Sequence, residues 1–206
     1  IQSFSEIVVN KHRNSFDDKT TRHFDLITSG ATKTSQMVKA IKDYSRLTTR
    51  AKPFALFDCN ESVAKALDNL SSLINDSGAY ISCDNLPEII GDKEHITILF
   101  QQLIHNALIY QKAGNKPIIS ISFTQNIDTW QFSMKDNGIG VPENLTEKIF
   151  KVLRRGVSDK KYPGLGMGLA YASKILQQHS GDINIATDSD QATIFSFKIA
   201  KDLPYE

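Results

Sequence analysis

"YPGLGMGLAYASKIL", residues 162–176, sets three glycines at alternate positions immediately before an amphipathic run. Gly164, Gly166 and Gly168 strip side chains from a short loop. The run Leu169–Gln178 reads as a helix with Leu169, Ala172, Ile175 and Leu176 on one face. A glycine loop that opens a helix presents bare backbone N–H groups at the positive end of the helix dipole, which suits phosphate. The same residues also serve as plain turn punctuation. The spacing is GxGxG rather than GxGxxG, and no strand feeds it directly, so it is not the dinucleotide-binding fingerprint.

Around this loop the pattern predicts sheet and helix. "FALFD" (54–58) and "AYISCD" (79–84) read as strands, with a helix over Glu61–Ile74 between them. Ile96–Gln111 reads as a strongly apolar helix. "PIISISFTQ" and "WQFSMKD" alternate as strands joined by a turn around Asn126–Asp128, and "GDINIATDSDQATIFSFKIA" reads as a terminal hairpin. Hairpins without regular βαβ alternation predict an α/β sandwich.

The first 50 residues follow another period. From Phe24 the apolar or small positions step through Ile27, Ala31, Thr34, Val38, Ile41 and Ser45, a heptad seam. Ile1, Phe4, Ile7 and Val8 share a face of an earlier helix, and "NKHRNSFDDKT" reads as the loop between, with Asp17 or Asp18 as cap. Two helices cannot enclose a core, so the seam predicts a homodimer through a four-helix bundle. Packing on the rest of the chain is the alternative.

The 206 residues carry a net charge of +1, which gives no general drive toward nucleic acid or an anionic membrane. Cys59 and Cys83 form no CxxC pair, which favours a reducing compartment. No run approaches the roughly 20 apolar residues of a membrane span. We expect a cytoplasmic piece of a longer chain, without direct membrane contact.

Two further stretches bear chemistry. In "QQLIHNALIYQ" (101–111), Gln102, Asn106 and Tyr110 fall at i, i+4 and i+8 of one helix face. A buried amide must find partners, structural or bound, and Mg²⁺ shared with phosphates is one such partner. In "KDNGIGVP", Asp136 closes a strand, while Gly138 and Gly140 open a tight turn. A carboxylate there can accept from the exocyclic amine of adenine. "IFKVLRRGVSDKK" adds an aromatic residue and a basic cluster in which Arg155 can reach a terminal phosphate.

Together these stretches resemble the ATP-binding domain of sensor histidine kinases, within the wider GHKL ATPase superfamily. "QQLIHNALIY" is similar to the N box, "DNGIG" to the first glycine box, "IFKVLRR" to the F box and "GLGMGL" to the second glycine box. The hairpin, ending in "DYSRL", resembles the later half of a dimerisation and histidine-phosphotransfer domain, and "IQSFSE" with "YPGLGMGL" resembles the phytochrome-type branch. The resemblance implies an α+β chain: a helical hairpin over residues 1–50, then a sandwich of the GHKL (Bergerat) type over 51–206. It implies ATP and Mg²⁺ as cofactors, a homodimer, and a response-regulator receiver domain as partner. Asn106 is expected to ligate Mg²⁺, Tyr110 to pack near adenine, and Asp136 to bind its amine, with Gly138 and Gly140 shaping the base pocket. Arg155 is the γ-phosphate candidate. Gly164, Leu165, Gly166, Met167, Gly168 and Leu169 are expected to cover the phosphates, in a lid running roughly from Arg154 to Leu165.

The sequence departs from the family at three places. Ile109 stands where a phosphate-contacting lysine is common, so either ATP affinity is weaker or Lys160 or Lys161 supplies that charge. Leu153 replaces the second aromatic of the F box. His12 and His23 lack the following acidic residue and proline of a phosphoacceptor motif, so the acceptor is expected upstream of Ile1. Two other functions compete: a degenerate module that binds partners without ATP, and a hydrolase of the gyrase or chaperone kind. The latter carries a glutamate base where this chain has Gln102, and an amide cannot take a proton from water.

Overall fold

The structure is a computed structural model and describes residues 2–12, 16–49, 52–154, 162, 164–188 and 192–204. The chain divides into two compact units, Ile1–Arg46 and Leu47–Glu206.

The first unit holds α1 (Gln2–His12) and most of α2 (Asp18–Thr49). Asp17 caps α2, its carboxylate accepting from the Thr20 N–H at 2.7 Å, and the Phe16 and Phe24 rings stack 5.0 Å apart. The expected loop is shorter than the polarity of "NKHRNSFDDKT" implies. Asn10–His12 continue α1 and Asp18–Thr20 begin α2, because exposed polar residues are as compatible with helix ends as with loops. Ile27 and Ile41 on the heptad seam are exposed, and Val38 retains 61% of its surface.

The second unit begins where Leu47 is buried and its carbonyl accepts from Gln178 Nε2 at 2.8 Å. β1 (Ala55–Asp58) leads into α3 (Cys59–Asn69) and α4 (Ser71–Ser77). The single helix expected over Glu61–Ile74 is therefore two. Leu70 N–H bonds back only three residues, to Leu67, which tightens the turn and breaks the ladder. β2 (Tyr80–Cys83) and β3 (Glu88–Gly91) follow. β3, unforeseen, pairs antiparallel with β1. Confined between Pro87 and the end at Gly91, it is too short to show a period.

α5 (Lys93–Ile109) starts three residues earlier than expected, because Asp92 caps it by accepting from the Glu94 and His95 N–H groups. β4 (Ile118–Gln125), β5 (Thr129–Asp136), α6 (Gly168–Gln178), β6 (Ile183–Thr187) and β7 (Thr193–Ala200) complete the unit. The main sheet runs β2-β4-β5-β7-β6, antiparallel except for β2 with β4. α5 and α6 supply the apolar layer against it. Phe100 of α5 meets Phe132 and Phe197 of the sheet at centroid distances of 6.0 and 5.8 Å, and those two rings stack at 5.1 Å. This is the sandwich that the alternating strands predict. Among the described residues no helix is long and apolar enough to cross a membrane.

The outer ends of α5 and α6 are tied together away from the glycine loop. The Asp92 N–H donates to His179 Nε2 at 3.0 Å, and His179 Nδ1 lies 2.8 Å from the Ile175 carbonyl. The accepting Nε2 places the imidazole proton on Nδ1, and burial holds the ring's pKa below its ordinary value. Asp92 also accepts the Lys52 N–H at 2.9 Å, which anchors the chain entering the sandwich. α5 and α6 are thus fixed as a pair.

Candidate functional site

α5 carries the first cluster. Gln102 and Asn106, one turn apart, face Gly168 at the start of α6. A Cβ on Gly168 would lie 2.8 Å from Gln102 Oε1 and 3.7 Å from both polar atoms of the Asn106 amide. The absent side chain is what lets the helix N-terminus approach the two amides. Asn106 Nδ2 is buried without a hydrogen-bond partner, and α6 has no side-chain N-cap bond. Among the described residues an unpartnered amide donor therefore lies beside a helix N-terminus that no side chain caps, an arrangement that matches phosphate oxygens.

The residues present also fit Mg²⁺. Asn106 offers one hard oxygen, and Mg²⁺ is commonly held by one or two protein oxygens with phosphates and waters completing its shell. Among the described residues no group of three or more His, Cys, Asp and Glu gathers to make a dedicated metal cage.

The second cluster lies at the C-terminal end of β5, the central strand of the main sheet. Asp136 ends β5 between Ile119 of β4 and Thr193 of β7. It is only 4% exposed, and its Oδ1 accepts the Gly138 N–H at 2.8 Å. Burial pushes its pKa up from the ordinary carboxylate value to about 6, against the opposing pull of the Gly138 amide and the Thr193 side chain. A Cβ on Gly138 would sit 2.5 Å from the Tyr110 carbonyl and 2.6 Å from the Asp136 carboxylate, so nothing larger than glycine fits. Ile139 N–H donates to that Tyr110 carbonyl at 3.0 Å. Asn137 accepts the Ile118 N–H and donates to the Lys116 carbonyl, pinning the turn to β4. Gly140 takes φ +73°, the left-handed conformation glycine tolerates.

Tyr110 is the helix C-cap rather than a helical residue, which corrects the helix expected through Gln111. The apolar period runs on, but the chain turns at Tyr110 to reach the Asp136 turn. Tyr110 therefore departs from the i, i+8 face and joins the Asp136 cluster, while Gln102 and Asn106 remain with Gly168. Gly164 and Gly166 adopt φ +152° and +69°. Leu165 and Leu169 are half-buried, and Met167 is buried, so Met167 can offer a ligand its backbone more readily than its side chain. Arg155, Lys160 and Lys161 lie outside the described residues.

Three participants were not singled out from the sequence: Thr193, Gln111 and Tyr162. Tyr162 stands in the quoted stretch, and an aromatic residue next to Pro-Gly was the available signal. Its hydroxyl donates to the Gln111 carbonyl at 3.0 Å, and its ring lies 5.3 Å from that of Tyr110.

Residues 91–203 match the family described as Histidine kinase-, DNA gyrase B-, and HSP90-like ATPase. The chain is 30% identical over 200 residues to phytochrome-like protein Cph1 of Synechocystis sp., covering 97% of this chain and 26% of that protein. It is 33% identical over 117 residues to sensor histidine kinase WalK of Bacillus subtilis, covering 56% of this chain and 18% of that protein. In fold it is similar to histidine kinase ThkA, solved in complex with response regulator protein TrrA. The TM-score is 0.67 at 20% identity, covering 97% of this chain and 57% of that one. The chain spans about a quarter of the length of the phytochrome-like relatives it matches.

Proposed function

On the premise that this chain belongs to the histidine kinase-, DNA gyrase B- and HSP90-like ATPase family, we propose that it is the ATP-binding kinase core of a two-component sensor. Residues 1–50 form the dimerising and phosphotransfer hairpin in this reading, and 51–206 the catalytic domain. The observation that carries it is the Asn106 side chain beside the N-terminus of α6, its Nδ2 buried without a hydrogen-bond partner.

The Asp136 carboxylate accepts a hydrogen bond from the adenine amine, and its burial excludes water from that contact. Gly138 lets the backbone close against the base, with Tyr110 beside it. Asn106 would hold Mg²⁺ through Oδ1, and the ion when bound would neutralise charge on the phosphates. The backbone amides of Gly164–Leu169 take phosphate oxygens, and Arg155 takes the γ-phosphate. A neutral imidazole nitrogen of an acceptor histidine, N-terminal to Ile1, attacks the γ-phosphorus in line as ADP leaves. The phosphoryl group then passes to an aspartate of a receiver domain. The exposed seam at Ile27, Val38 and Ile41 is the homodimer interface.

The test is labelling of the full-length protein with γ-radiolabelled ATP. Acid-labile phosphate is expected on the wild type, with at least a tenfold loss in Asn106→Ala. Full labelling of that variant overturns the assignment.

A further inference from the structure

We propose that Tyr162 is a positioning residue for nucleotide: it tethers the segment entering the second glycine loop to the base end of the site. This rests on the reading of Tyr110 and Asp136 as that base end. Tyr162 is only 7% exposed, although the residues that follow it at Gly164–Gly166 are not buried. Two chemically different contacts of its side chain point toward the base end. Its hydroxyl donates to the Gln111 carbonyl at 3.0 Å, and its ring tilts at 54° against Tyr110, 5.3 Å away.

What it grips is itself braced. The Tyr110 carbonyl takes the Ile139 N–H from the Asp136 turn. The Gln111 side chain donates to the Ala107 carbonyl of α5 and accepts from Asn115, which also donates to the Asn137 carbonyl. The end of α5, the Asp136 turn and Tyr162 thus meet at one seam. Tyr162 is the only member contributed by the glycine-loop side among the described contacts. A ring at this point does two things. It fixes the orientation of Tyr110 beside the pocket, since aromatic pairs prefer tilted or offset geometries at this separation. It also spares Gly164 and Gly166, with their wide backbone freedom, part of the entropy of being ordered by phosphate.

Substitution separates these contacts. Tyr162→Phe keeps the ring and loses the hydroxyl bond to Gln111, whereas Tyr162→Leu keeps apolar bulk and loses the ring. Binding of Mg·ADP is measured by calorimetry, with hydrogen exchange of the Gly164–Met167 amides followed in nucleotide-free protein. Folding of each variant is checked by circular dichroism. Tyr162→Phe should bind within about threefold of wild type, and Tyr162→Leu at least tenfold more weakly. Exchange at Gly164–Met167 should be fastest in Tyr162→Leu. A folded Tyr162→Leu that binds like wild type, or exchanges no faster, overturns the proposal and leaves Tyr162 as core filling. A wild-type protein that binds no Mg·ADP removes the nucleotide role of Tyr162 together with the site, and the exchange data then judge the tether alone.

Discussion

Replacing Asp136 with Asn should make the nucleotide-free protein more stable and the nucleotide complex weaker. The carboxylate is 4% exposed and its pKa is raised to about 6 from 3.8. A rise of about two units corresponds to roughly 3 kcal/mol at 1.36 kcal/mol per unit, the cost of holding the group ionised at neutral pH. Because the folded-state value is the higher one, the native protein binds the extra proton between pH 4 and pH 6. Stability from this group is therefore greatest below about pH 4 and falls as pH rises through about 6. Asn keeps an acceptor for the Gly138 N–H without carrying the charge. Allowing for relaxation around the buried charge, we expect a gain of about 1–2 kcal/mol at pH 7.5, or roughly 3–6 °C in melting temperature. Mg·ADP affinity should fall roughly 10- to 100-fold as a charge-assisted hydrogen bond of about 1.5–3 kcal/mol is lost. The assay is calorimetric melting at pH 5 and pH 7.5, with and without Mg·ADP. The stability gap should narrow at pH 5, where wild-type Asp136 is largely protonated. A variant less stable than wild type at pH 7.5, or a gap independent of pH, would refute the reasoning.

Gly138→Ala should lower the melting temperature by roughly 5–10 °C, because its Cβ meets the Tyr110 backbone at 2.5 Å and backbone cannot yield cheaply; scanning calorimetry reads it directly. Gly168→Ala places its Cβ against the flexible end of Gln102. It should cost less than about 1 kcal/mol of stability yet weaken Mg·ADP binding about tenfold, since Gln102 must move toward Asn106. The proposed homodimer should run as a monomer in sedimentation velocity once Ile27→Glu and Ile41→Glu are combined, and a dimer that survives both charges is held elsewhere. Incubated with radiolabelled ATP, the chain of residues 1–206 should take up no acid-labile phosphate. Label that disappears with His12→Ala or His23→Ala would relocate the acceptor.

The sandwich was legible because β4, β5 and β7 alternate cleanly and α5 is apolar along the face that meets them. The candidate site showed in the sequence as local pattern: a carboxylate closing a strand before Asn-Gly, and glycines before a helix. Three features were hidden for physical reasons. β3 is too short to show a period and exists through its pairing with β1. The break at Leu70 depends on local hydrogen bonding rather than on a glycine or proline. The departure of Tyr110 from the helix, and with it the Tyr110–Tyr162 contact, depends on a turn that closes from β5, some 25 residues downstream. Periodicity reads local faces, and such contacts are made by distant segments.

The most direct test of the account is calorimetric titration of this chain with ATP in the presence and absence of Mg²⁺. The arrangement of Asn106, Gly168 and Asp136 predicts saturable one-to-one binding with Mg²⁺ that weakens at least tenfold when the ion is chelated. No binding heat at millimolar Mg·ATP, or affinity indifferent to the metal, would contradict it.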